Sequence, residues 1–212
     1  EVLPYRDLRE GALKLARTLL ASGLEPGERV GLLAESDGDF LRAFFACQYA
    51  GLIPAPLPLP APFGGREAYI EHIRRMLRTA GASAVFGPMA LADWVTEAAE
   101  GLDLKLAGAL PSFASADASD LPGADPDGLC YLQFSSGSTR FPLGVAVAQR
   151  ALMANARAFV RDGLNAQAAD RVRFEHSEPI VSASTLPEEE KSRTMRIVRN
   201  SGSATRSITV TA

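Results

Sequence analysis

Hydrophobic positions along the first hundred residues alternate between two periods. Leu8, Ala12, Leu15 and Leu19 recur at helical spacing and predict one apolar stripe on a helix. Gly23 follows them, suited to the left-handed conformation that ends a helix, and Pro26-Gly27 predicts a turn. Residues 29–34 then form an uninterrupted apolar run after Arg29, the pattern of a strand buried on both faces. Ser36 or Asp37 can cap a second helix carrying Phe40, Phe44 and Cys47 on one face, stopping at Gly51. A third helix opens at Gly64-Gly65, with Tyr69, Ile73, Met76, Leu77 and Ala80 at helical spacing, and closes at Gly81. Residues 84–86 predict a short strand, and 89–99 an amphipathic helix around Trp94.

One segment breaks the pattern in an informative way. Residues 53–62 contain five prolines, which removes too many ladder donors for a central strand and excludes a helix. An extended edge strand running into a loop is expected there. Residues 111–128 are rich in Ser, Ala, Asp, Pro and Gly and predict a loop inside the domain, because apolar patterning resumes at once over 129–134. Strands separated by helices of ten to fifteen residues imply βαβ units. The expected class is therefore α/β, a mainly parallel sheet with helices on both faces.

The character changes after about residue 171. Residues 173–212 hold twelve Ser or Thr, one Leu and one aromatic residue, Phe174. Residues 188–193 are a charge run of the kind that normally forms a solvated surface, and 207–211 alternate as a strand with little to bury against it. The expected organisation is a domain over 1–172 and a poorly packed tail over 173–212.

Composition narrows the function classes. With 212 residues, 47% hydrophobic, the chain can bury a sizeable core, and a net charge of −3 supplies no field favouring nucleic acid or an anionic membrane. No run of about eighteen apolar residues occurs, so no membrane span is expected. The first ten residues are polar and lack a signal-peptide core; without an initiating Met, the chain is expected to begin inside a longer, cytoplasmic one. Cys47 and Cys130 are the only cysteines, each in an apolar stretch, and read as buried packing residues. His72 and His176 are the only histidines, and nothing has metal-ligand spacing.

The chemistry concentrates in residues 131–145, Tyr-Leu-Gln-Phe-Ser-Ser-Gly-Ser-Thr-Arg-Phe-Pro-Leu-Gly-Val. A buried strand ending at Phe134 is followed by four hydroxyl residues around one glycine and then an arginine. Gly137 lets backbone N–H groups turn inward around an anion. Ser135, Ser136, Ser138 and Thr139 add hydroxyl donors, and Arg140 adds a permanent charge with a donor fork suited to phosphate. A loop at the carboxyl end of a parallel strand is where α/β folds bind ligands. Composition alone fits a ligand-free Ser-rich surface loop equally well. A Walker A loop is excluded, since no GxxxxGK[ST] occurs.

The order of residues goes further than their composition. The segment resembles the phosphate-binding signature of the adenylate-forming superfamily, matching it at Ser135, Ser136, Gly137, Ser138, Thr139, Pro142 and Gly144. Arg140 stands where most members have Gly, and Leu143 where most have Lys; the Ser-Ser-Gly-Ser-Thr-Arg version is typical of the fatty-acyl-AMP ligase branch. Residues 5–8, 24–30, 44–51 and 149–152 also resemble that branch, in its order, so the likeness covers about 1–172.

That resemblance implies ATP-dependent activation of a fatty acid to an acyl-adenylate, with Mg²⁺ as cofactor, and transfer to an acyl carrier protein or a polyketide or peptide synthase. Ser135, Ser136, Gly137, Ser138, Thr139, Arg140 and Gly144 would bind the ATP phosphates. No catalytic residue can be assigned: the family's aromatic-His motif has no counterpart around His176, and its ribose-binding Asp, hinge and catalytic Lys fall beyond residue 212. An incomplete, inactive fragment is expected. The alternatives are a fragment of an acyl-CoA synthetase and a nucleotide- or protein-binding module without turnover.

Overall fold

A computed structural model describes residues 3–35, 37–60, 65–111, 120–134, 143–163, 171–176, 194–201 and 204–211, with side chains described only as far as Asp162 and not for Val160. The chain divides into two compact units, Glu1–Ala154 and Asn155–Ala212. The first is built on four parallel strands, β1 (Arg29–Leu33), β2 (Ile53–Leu57), β3 (Ala82–Gly87) and β4 (Leu106–Ala109), in spatial order β2-β1-β3-β4. Helices α1 (Tyr5–Ala21), α2 (Gly38–Tyr49), α3 (Arg66–Ala80) and α4 (Ala92–Ala99) lie between or before them in the chain.

Alternation along the strands sorts the core into two layers. Val30 and Leu32 of β1, with Ala84 and Phe86 of β3, bury against Leu15, Ala16 and Leu19 of α1 and Ala43, Ala46 and Cys47 of α2. Leu33, Leu57 and Val85 face the other way, against Ile70, Ile73 and Leu77 of α3 and Val95 and Ala98 of α4. Helices therefore cover both faces, as the βαβ reading requires. Residue size sets the close approach of α2: Ala43, Ala46 and Cys47 are its buried positions, while Phe40 and Phe44 are only half-buried.

β2 forms the sheet edge, as its prolines demand. The Ile53 N–H donates to the Glu28 carbonyl at 2.8 Å, and the Leu57 carbonyl accepts from Ala34 at 2.9 Å. In a parallel pair alternate residues face the partner, so Pro54 and Pro56 fall on the side away from β1, where no donor is required. Asp37 caps α2, its carboxylate accepting from the Phe40 N–H at 2.8 Å. Gly81 closes α3 with φ of 59°, in the left-handed region.

Two elements differ from expectation. Residues 89–99 are not one helix: a 3-10 turn, Met89–Leu91, precedes α4, and Met89 is 79% exposed. β4 carries no β-branched or aromatic residue and contains Gly108, so neither propensity nor periodicity announces it; pairing with β3 makes it a strand.

Both cysteines are free and buried, as expected. Burial pushes the Cys47 thiol up to about 12 and raises that of Cys130 as well. Neither is expected to react with a thiol reagent at pH 8 in the folded chain, and both are expected to react on unfolding; two fast thiols under native conditions would contradict the packing.

In the second unit, β7 (Arg171–His176), β8 (Thr194–Ser201) and β9 (Ala204–Thr211) pair as an antiparallel meander. The expected strand at 207–211 falls within β9. The poor packing expected of 173–212 concerns side chains outside the described residues.

Candidate phosphate-loop site

The segment singled out by sequence is the connection of a β-hairpin. β5 (Leu129–Phe134) and β6 (Gly144–Ala148) run antiparallel, with Phe134 opposite Gly144, Gln133 opposite Val145 and Leu132 opposite Ala146. This corrects the expectation of a loop leaving a parallel strand. A connection over 135–143 is too short for the crossover that parallel pairing needs, whereas antiparallel strands can join directly. The signal was present in Gly144-Val145-Ala146-Val147-Ala148, a second short β-forming run. Nor is β5 buried throughout: Cys130 and Leu132 are buried, Tyr131 and Phe134 half-buried, Leu129 and Gln133 exposed. That alternation is the pattern of a strand covered on one face.

β5 lies beside β2 without joining its sheet. Pro54 and Pro56 offer no N–H on that side, so the hairpin is held by side chains instead. Leu132 packs into the α3 layer, and the Tyr131 ring meets Phe44 of α2 edge-on, centroids 5.9 Å apart.

Of the predicted phosphate-binding residues, Ser135, Ser136, Gly137, Ser138, Thr139 and Arg140 lie outside the described residues. Gly144 is described, at the first position of β6. A Cβ there would stand 3.3 Å from Cε1 of Phe134, so glycine lets the two roots of the loop approach closely. Beside those roots is an open cleft of about 280 Å³, lined by Leu132, Phe134 and Gly144 from the hairpin and by Arg29, Arg78 and Gly81 from the sheet unit. Sequence reading did not find Arg29 and Arg78, because they meet the hairpin only through the fold. Arg78 sits in the last turn of α3, where a cation complements the helix dipole, so its place has a structural explanation without any ligand.

Among the described residues no group of three or more His, Cys, Asp or Glu could hold a metal ion. His72 is exposed on α3, the solvated position expected of it. No helix among the described residues is long and apolar enough to cross a membrane.

Comparison with known proteins places this architecture. A provisionally named acyl-CoA synthetase of Caulobacter vibrioides is 56% identical over 171 residues, 81% of this chain and 30% of the relative. A long-chain-fatty-acid–AMP ligase of Mycobacterium marinum is 32% identical over 163 residues, 73% of this chain and 26% of its own length. Among solved structures, one from a study of fatty acyl-adenylate ligases from E. coli and L. pneumophila superposes with a TM-score of 0.73 at 35% identity, covering 81% of this chain and 31% of that one. A fatty acyl-adenylate ligase from L. pneumophila, in complex with acyl adenylate and pyrophosphate, superposes with a TM-score of 0.64 at 27% identity over 76% of this chain and 27% of that one. The chain thus spans about 30% of the length of the relatives it matches. The AMP-binding enzyme family matches residues 1–181, and with the fold and the ordered segments above this chain belongs to it.

Proposed function

We propose that the chain is the N-terminal part of an ATP-dependent acid ligase that activates a fatty acid as its adenylate and delivers the acyl group to a carrier-protein thiol. The observation carrying this reading is the Ser-Ser-Gly-Ser-Thr-Arg sequence joining β5 to β6 in a chain of this family. Hydroxyls of Ser135, Ser136, Ser138 and Thr139 would donate to phosphate oxygens, with Gly137 allowing the backbone N–H groups to approach. Arg140 would neutralise charge on the β- and γ-phosphates by a donor fork. Close approach of Phe134 and Gly144 brings the two ends of this segment together.

Those donors fit a polyphosphate; the carboxylates that would complete a Mg²⁺ site are not supplied by them. Mg²⁺, when bound with ATP, shields the charge that develops on departing pyrophosphate. This chain's residues bind and orient the leaving group, and the carboxylate of the acid attacks the α-phosphorus. Residues up to about 172 belong to this ligase domain in our reading, and 173–212 form a tail unlike it. Delivery to a carrier thiol rather than CoA rests on Arg140, which marks the acyl-AMP branch, and on the likeness to fatty acyl-adenylate ligases.

Titration of the 212-residue chain with ATP tests the loop directly. Saturable binding that falls about tenfold or more in Arg140→Ala is expected, since a charge-assisted hydrogen bond contributes roughly 1.5–3 kcal/mol. Binding untouched by Arg140→Ala would remove the loop from the site.

A further inference from the structure

Gln48 stands in the last turn of α2 and is half-buried. Among the described residues its carboxamide makes three hydrogen bonds, each to the base of the β5–β6 hairpin. Nε2 donates to the Cys130 carbonyl of β5 at 2.6 Å. Oε1 accepts from the Cys130 thiol at 3.4 Å and from Nε2 of Gln149, the residue immediately after β6. The Gln149 N–H in turn donates to the Gly128 carbonyl at 3.0 Å, closing the hairpin base. One side chain therefore grips β5 and the residue that follows β6, at the end opposite residues 135–143.

The other restraints on the hairpin are modest. Cys130 and Leu132 are its only buried apolar residues among those described. Gly144, Val145 and Ala146 are exposed and Val147 and Ala148 only half-buried, so β6 contributes little packing. The Arg150–Asp127 ion pair is exposed on both sides, a type that contributes little. No backbone ladder ties β5 to the parallel sheet. A part-buried amide with donor and acceptor both used is a firmer kind of tie than the exposed Arg150–Asp127 pair.

We propose that Gln48 is a positioning residue: by pinning both roots of the hairpin to α2, it fixes where the phosphate loop is presented. This rests on reading residues 135–140 as that loop. Gln48 itself does not touch the loop, and its effect passes through Cys130 and Gln149.

The experiment compares wild type, Gln48→Leu and Gln48→Glu in the 212-residue chain by hydrogen–deuterium exchange and by ATP titration. Leucine fills similar volume without donor or acceptor; glutamate keeps the acceptor for Cys130 and Gln149 but loses the donor to the Cys130 carbonyl. Exchange over 129–148 is expected to rise about tenfold in Gln48→Leu, the scale of a lost hydrogen-bond set, and less in Gln48→Glu. Peptides covering β1 and β3 should stay at wild-type rates, and ATP affinity should fall in the same order as the hairpin loosens. Unchanged hairpin exchange, or an equal rise in β1 and β3, would overturn the clasp. Raised hairpin exchange with undiminished ATP affinity would overturn the positioning role. A wild-type chain that binds no ATP would instead defeat the phosphate-loop reading, because the exchange measurement uses no ligand.

Discussion

Leu77→Ala is expected to destabilise the sheet unit by about 2–5 kcal/mol, and Gly31→Ala by about 1–3 kcal/mol, yet the two together by less than their sum. Leu77 of α3 is 1% exposed and packs directly over β1. There the chain has Gly31, where a Cβ would meet Cδ2 of Leu77 at 2.7 Å, Cδ1 of Leu57 at 3.0 Å and Cγ2 of Val85 at 3.2 Å. These neighbours sit in a filled core, so the added methyl must push them from their rotamers. Truncating Leu77 removes the nearest clash and leaves a void that the new methyl partly fills. Denaturant unfolding followed through Trp94, the chain's single tryptophan, reads the unit that contains both sites. Strict additivity, or a neutral Gly31→Ala, would show that α3 does not approach β1 as described.

The second large effect concerns turnover. The 212-residue chain is expected to show no fatty-acid-dependent ATP–pyrophosphate exchange, even with the phosphate donors we propose for residues 135–140. Catalysis needs the acid, the ribose and the phosphates held together, and the chain spans only about 30% of the length of its ligase relatives. A missing donor to a developing charge costs about 10²–10³ in rate, and several would be missing at once. A radiolabelled exchange assay with medium- and long-chain acids, run beside Arg140→Ala, decides the matter. Exchange abolished by Arg140→Ala would mean that the chain is a working ligase by itself. Exchange indifferent to that substitution would point to a contaminating enzyme.

Strands β1, β2 and β3 of the parallel layer and the helices beside them were legible in the sequence because their signals are local. Leu15 and Leu19 at helical spacing, the apolar run from Val30 to Leu33 and the terminating Gly81 each require only near neighbours to be read. Pro54 and Pro56 determined even the place of β2 at the sheet edge, since a residue without an N–H cannot serve a second partner. Residues 135–140, which we propose as the phosphate loop, read as an ordered string of hydroxyls, glycine and arginine, and the family followed from that order.

Relations between distant segments were not legible, because periodicity carries no information about which strand returns to which. β4 is a strand through pairing with β3, not through its own residues. β5 reads as a buried strand of a parallel sheet until its partner proves to be β6, and the prolines of β2 are what keep it apart from that sheet. Gln48 reads as a polar residue at the end of a helix. Only the tertiary structure brings it to Cys130 and Gln149, 82 and 101 positions away, where one amide can satisfy its donor and acceptor on both roots of the hairpin.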